Sequence, residues 1–93
     1  MKLYLIHTGY YDKSINEGFY EQHANILIVA KDAYSAREKV KMHNDYIDKK
    51  MHIDGIKEIE NVDGHDLYLK KSSNKEKITN YNHYQVRFLK SDD

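Results

Sequence analysis

The feature that most constrains the fold is a continuous apolar run followed at once by a helix start. Residues 26–30 are all apolar and rich in β-branched side chains, which indicates a central β-strand over residues 21–30. Asp32 then provides a good N-cap, and apolar side chains recur at intervals of three and four. This pattern predicts one helix from residue 33 to about 44 or 47, with the stripe Ala33, Ala36, Val40, His43 and Ile47. Because the stripe is narrow, its burial against a sheet should hold the helix in place.

Alternation and turn-forming residues suggest where the next strands lie. Residues 1–8 alternate as an interior strand does, whereas residues 9–18 hold turn formers and charges typical of an exposed loop. Residues 51–60 and 65–71 should form a β-hairpin whose turn is Asp63-Gly64, a dipeptide that accepts positive φ.

The C-terminal part of the chain divides into a polar and an alternating segment. Residues 72–82 are almost entirely polar and predict a mobile loop, while residues 83–89 alternate and predict a fifth strand. The predicted order is therefore ββαβββ in a single domain over residues 1–93. One helix and about five strands give an α+β fold, a two-layer sandwich with the helix on one face of the sheet.

Composition excludes several classes of protein. The 93 residues allow one hydrophobic core, and the absence of Cys rules out disulfides, thiolate zinc sites and iron–sulfur clusters. No stretch approaches the ~18 apolar residues of a membrane span, and none forms a signal-peptide core. We therefore expect a cytoplasmic protein with no membrane contact. The charge is uneven: residues 1–69 hold 9 Lys and Arg against 12 Asp and Glu, a balance of −3, and residues 70–93 hold 6 against 3, a balance of +3.

Two short motifs form the candidate binding site. Glu21 and His23 are two residues apart on the second predicted strand, as are His52 and Asp54 on the third, so each pair lies on one strand face. If the strands are neighbours, these groups could bind Zn²⁺, Mn²⁺ or Fe²⁺. His7 and His65 are further possible neighbours. Hydrogen-bonded or solvated roles are the more common outcome for such pairs, so the identity of any metal stays open.

No constellation predicts catalysis. The Ser residues have no evident His partner, and the four Gly residues are too dispersed for a phosphate loop, so the sequence favours a non-enzymatic role without a cofactor.

The first functional hypothesis is a protein-interaction domain that forms a homodimer, because a single helix would leave one sheet face with Tyr and Leu side chains uncovered. The weaker alternative is nucleic-acid binding through Tyr and basic residues of the C-terminal part: Tyr68, Tyr81, Tyr84, Lys70, Lys71 and Arg87. Neutral net charge argues against it.

The segments MKLYLIHTG, YEQHANILIVA and MHIDGIKEIENVDGH together resemble the domain of unknown function 1543 family. That pattern has an N-terminal strand, Glu-x-His before an apolar strand, a helix, then His-Ile-Asp and a downstream Val-Asp-Gly. It is matched here by Glu21, His23, His52, Ile53, Asp54, Val62, Asp63 and Gly64. The resemblance covers residues 1 to about 70 and departs from the pattern at Ala24, where Asp is usual, and in the first loop, which lacks a Gly- and Pro-containing stretch. It implies a small α/β domain and no particular activity, since the family has no assigned function.

Overall fold

A three-stranded antiparallel sheet organises the chain in the computed structural model, which describes residues 1–92. Its strands are β1 (Lys2–Tyr10), β2 (Gln22–Ala30) and β3 (His52–Ile59), in the order β2-β1-β3. Both outer strands are antiparallel to β1, so they run parallel to each other and begin at the same end of the sheet. The predicted α+β class and two-layer arrangement are confirmed. The predicted loop over residues 9–18 begins later, because Gly9 and Tyr10 belong to β1.

The helices between β2 and β3 differ from the single predicted helix. Helix α1 (Ala33–Val40) begins at Asp32, whose carboxylate accepts a hydrogen bond from the Ser35 N–H at 2.7 Å. That bond lowers the pKa of Asp32. The helix ends at Val40, and a second helix, α2 (Asn44–Asp48), begins after His43. The backbone of His43 is extended, and its ring accepts a hydrogen bond from the Asp45 N–H, which caps α2. The predicted stripe is therefore buried only at Ala36 and Val40.

The core lies between α1 and one face of the sheet. On β1, Tyr4, Ile6 and Thr8 are fully buried, while Leu3 and Leu5 between them point to the other face. The buried apolar residues are Tyr4, Ile6, Ile26, Ile28, Ala30, Ala36, Val40 and Met51. The opposite face carries five apolar side chains that are not buried, and we call it the open sheet face: Leu3, Leu5, Leu27, Val29 and Ile59.

The hairpin after β3 is shorter than predicted. Its strands are β4 (Asn61–Val62) and β5 (His65–Asp66), a separate two-stranded sheet. The turn is as predicted, because Asp63 and Gly64 both have positive φ, 52° and 75°. The prediction that residues 51–60 pair with residues 65–71 was wrong. Strand β3 pairs instead with β1, which brings Ile53 against the core.

The C-terminal part leaves the sheet. Residues 67–82 contain no helix or strand, and the predicted fifth strand over residues 83–89 is replaced by helix α3 (His83–Arg87). Asn82 and Gln85 cap this helix reciprocally, which favours the helix over the apolar alternation. None of its residues is buried.

The radius of gyration is 16.1 Å, against about 12 Å for a compact chain of this length. Among the described residues, no helix is long and apolar enough to cross a bilayer.

Candidate functional site

The candidate site is built around a glycine in the central strand. Gly9 is the cross-strand partner of His23 on β2 and of His52 on β3. A Cβ placed on Gly9 would lie only 2.0 Å from Glu21 Oε1, 2.6 Å from His52 Nε2 and 2.7 Å from Asp54 Oδ2. The side chain of Glu21, the residue just before β2, and those of His52 and Asp54 on β3 therefore extend over β1 into the space that a larger residue would fill.

A bulge directs Asp54 into the same space. His7 pairs with Gly55 and Thr8 pairs with Ile53, so Asp54 is an extra residue in β3 opposite this step of β1. Bulges of this kind change the direction of a side chain and are frequent near functional sites. As a result Asp54 lies between two imidazoles: its Oδ1 is 3.1 Å from His52 Nε2 and its Oδ2 is 3.3 Å from His23 Nδ1.

Glu21 completes the contacts between the two motifs. Its Oε1 lies 2.9 Å from His52 Nε2, a hydrogen bond across the sheet, and 3.9 Å from His23 Nδ1. The four residues predicted from the sequence therefore converge in space, which the sequence could not establish.

His7 adds a fifth group. Its ring stacks on that of His23, with 4.9 Å between the centroids and 10° between the planes, and its Nδ1 is 2.9 Å from Asn25 Oδ1. We refer to His7, Glu21, His23, His52 and Asp54 as the histidine–carboxylate cluster. His65 does not join it, since its Nδ1 lies 2.7 Å from the carbonyl oxygen of Asp63 in the hairpin turn.

The geometry of the histidine–carboxylate cluster allows metal coordination. Two overlapping triads each offer one ligand atom per residue within 4.8 Å of the others: His7, His23 and Asp54, and Glu21, His52 and Asp54. The side chains of Glu21, His23, His52 and Asp54 are between 31% and 50% exposed, so an ion could reach them from solvent. The first triad, two imidazoles and one carboxylate, is a ligand set that suits first-row divalent ions.

The sequence indicates His7 only as a possible neighbour of the candidate site and does not indicate Gly9 as part of it. Both residues share the strand parity of Leu3 and Leu5, and a glycine inside a strand pattern signals a close approach of neighbouring groups. The turn formers and charges over residues 9–18 predict a loop, which hides this signal.

Comparisons of the chain with protein-family models, with curated proteins and with solved structures found no match.

Proposed function

We propose that this chain is a metal-binding domain that holds one divalent transition-metal ion at the histidine–carboxylate cluster. The observation that carries the proposal is the convergence of two motifs from different strands over Gly9, with Asp54 shared between two triads of possible ligands. The resemblance to the domain of unknown function 1543 family belongs to the same proposal, because the Glu-x-His and His-Ile-Asp motifs that carry it supply four of the five groups.

The chemistry of the cluster favours Zn²⁺, Mn²⁺ or Fe²⁺ over the alkaline-earth ions. Three of its five groups are imidazoles, which are good ligands for first-row transition metals, and two are carboxylates, which neutralise the charge of a divalent ion. His23 Nδ1 lies 3.3 Å from the carbonyl oxygen of Thr8, and a contact of this type orients an imidazole whose other nitrogen, here Nε2, binds the metal. Both imidazole and carboxylate must be deprotonated to bind, so acidification should release the ion.

The proposal is tested by titrating the protein with Co²⁺, followed by its visible absorption, and with Zn²⁺, followed by calorimetry. We expect one ion per chain. The Gly9→Ala variant should bind about 10- to 100-fold more weakly, the range found when a group beside metal ligands is changed, because the new Cβ would occupy the position of Glu21 Oε1.

Gly55→Ala is the matched control. Gly55 is the residue after Asp54 in the same strand, and a Cβ there would meet nothing within 4 Å, so this variant should bind like the wild type. Equal affinities for Gly9→Ala and the wild type, or no binding of either ion at millimolar concentration, would show that the cluster is a hydrogen-bonded network and not a metal site.

A second function is favoured by a separate observation, the open sheet face. Leu27 is 42% exposed in the middle of β2, and its cross-strand partner Leu5 is only partly buried. A contiguous apolar surface on one side of a small sheet is typical of protein-interaction sites. We assign this surface to self-association as a homodimer. We place the protein in the cytoplasm, because a chain without Cys needs no oxidising compartment in which to form disulfides.

Light scattering coupled to size-exclusion chromatography tests the homodimer. We expect twice the chain mass of 11.1 kDa at high micromolar concentration, and a lower mass for Leu27→Lys, which places a charge on the open sheet face. Met42→Lys, at an exposed position after α1, should keep the wild-type mass. A mass of one chain at every concentration up to the millimolar range would exclude the homodimer.

A further inference from the structure

We infer that the open sheet face of one copy is covered by the C-terminal arm of a second copy, so that two chains exchange arms. The arm is defined as residues 70–92 and contains α3. This inference rests on the homodimer proposed above and adds the element that makes the contact. Three observations carry it: the surface area of the chain, the position of the arm and the distribution of charge.

The chain exposes more surface than a folded monomer of its mass. Its accessible area is 8278 Å², whereas a folded protein of 11.1 kDa exposes about 5,700 Å². The excess of roughly 2,600 Å² is larger than the ~800 Å² that each partner contributes to a standard interface. A contact that covers the arm and the open sheet face therefore has enough area to be stable.

The arm starts at the open sheet face and carries the apolar groups to cover one. Leu69 and Lys70 line a groove with Met1 and Val29, at the end of the face where the arm begins. Beyond it, α3 and the residues after it expose Tyr84, Val86, Phe88 and Leu89. Residues 70–82 span up to about 40 Å when extended, which is long enough to reach a neighbouring copy.

We call residues 1–69 the body of the chain. The distribution of charge favours contact between the arm of one chain and the body of its partner over contact between the two bodies. Residues 1–69 carry a net charge of −3, with 9 basic and 12 acidic residues, and residues 70–93 carry +3, with 6 basic and 3 acidic residues. Two bodies in contact would bring −3 against −3. An exchanged arm, with 6 basic and 2 acidic residues over residues 70–92, brings +4 against −3 on each side, and such complementarity favours the encounter and selects the pairing.

Cysteine cross-linking of the full chain tests the exchange, because the chain has no Cys of its own. The variants Leu27→Cys and Phe88→Cys are prepared separately, mixed at equal concentration and oxidised. Both positions are exposed, so each chain should fold, and Val86→Cys provides a second arm position. We expect a disulfide between the two different chains, identified by mass spectrometry of the linked peptides. Met42→Cys mixed with Phe88→Cys is the matched control and should give at least tenfold less cross-linked product.

The outcomes separate the arm exchange from the homodimer itself. If the particles have twice the chain mass but Leu27→Cys links mainly to itself, the two sheets face each other and the arm exchange is wrong while the homodimer stands. If the scattering mass is that of one chain and no link forms between different chains, both are wrong. A link of Phe88→Cys equally to the Leu27 and Met42 positions would show that the arm contacts its partner without a defined site, and would also overturn the inference.

Discussion

Single residues decide what the central strand can carry on each face. Gly9 leaves room for side chains from both neighbours to meet above it, and Asp54, displaced by the bulge, lies within 3.3 Å of a ring nitrogen of both His23 and His52. On the other face of β1, Thr8 is fully buried and donates its hydroxyl to the carbonyl oxygen of Ala24 at 3.0 Å. The site and the core are therefore separated by one strand thickness and depend on neighbouring residues of β1.

Tyr4 should make stability depend on alkaline pH. Its hydroxyl donates to Glu58 Oε1 at 2.5 Å, and burial, followed by this bond, raises the pKa of Tyr4 from 10.0 to about 12. A group whose pKa is higher in the folded state contributes stability that is complete below its unfolded pKa and is lost as pH rises through the folded one. The urea midpoint should therefore fall between pH 10 and pH 12 in the wild type.

Tyr4→Phe has no hydroxyl to ionise, so its midpoint should start lower at neutral pH but fall less over the same alkaline range. Tyr68→Phe, at an exposed position in the irregular segment, should follow the wild-type curve. Parallel curves for Tyr4→Phe and the wild type would mean that another group governs alkaline unfolding.

The residue types of the site could be predicted, but their meeting could not. Strand periodicity places Glu21 with His23 and His52 with Asp54 on one face each, because this depends only on a spacing of two. Whether the pairs meet depends on strand order and on the bulge at Asp54, and both follow from pairing between distant segments. Without the strand order, the sequence does not show that Gly9 leaves space for these side chains.

Elements with a strong local signal formed where the sequence predicted them, and those with a weak signal did not. The apolar run in β2 and the cap at Asp32 are mutually consistent signals, and both were confirmed. Residues 83–89 alternate over only seven positions, and the reciprocal cap between Asn82 and Gln85 made a helix there instead. A short alternating segment forms a strand only where the tertiary fold provides another strand to pair with it.

The molecule as a whole has a small core for its length. Within residues 1–92, eight apolar residues are buried, all between α1 and one side of the sheet or beside it, and none of these eight follows Met51. Net stability is a small difference between burial and chain entropy, so a core of this size leaves little margin. The open sheet face and the arm are apolar surfaces outside this core, and covering them would add to that margin.

Stability should therefore depend on protein concentration. If folding is linked to pairing of two chains, a hundredfold dilution lowers the free energy of unfolding by about 2.7 kcal/mol per mole of dimer, through mass action. We expect the urea midpoint, followed by circular dichroism, to rise between about 1 µM and 100 µM protein in the wild type. Leu27→Lys, with a charge on the open sheet face, should unfold at a lower midpoint that does not change with concentration, whereas Met42→Lys should retain the wild-type dependence. A wild-type midpoint that is the same at both concentrations would mean that the eight buried residues are sufficient to hold the single chain folded, and that pairing, if it occurs, adds nothing to the stability of the fold.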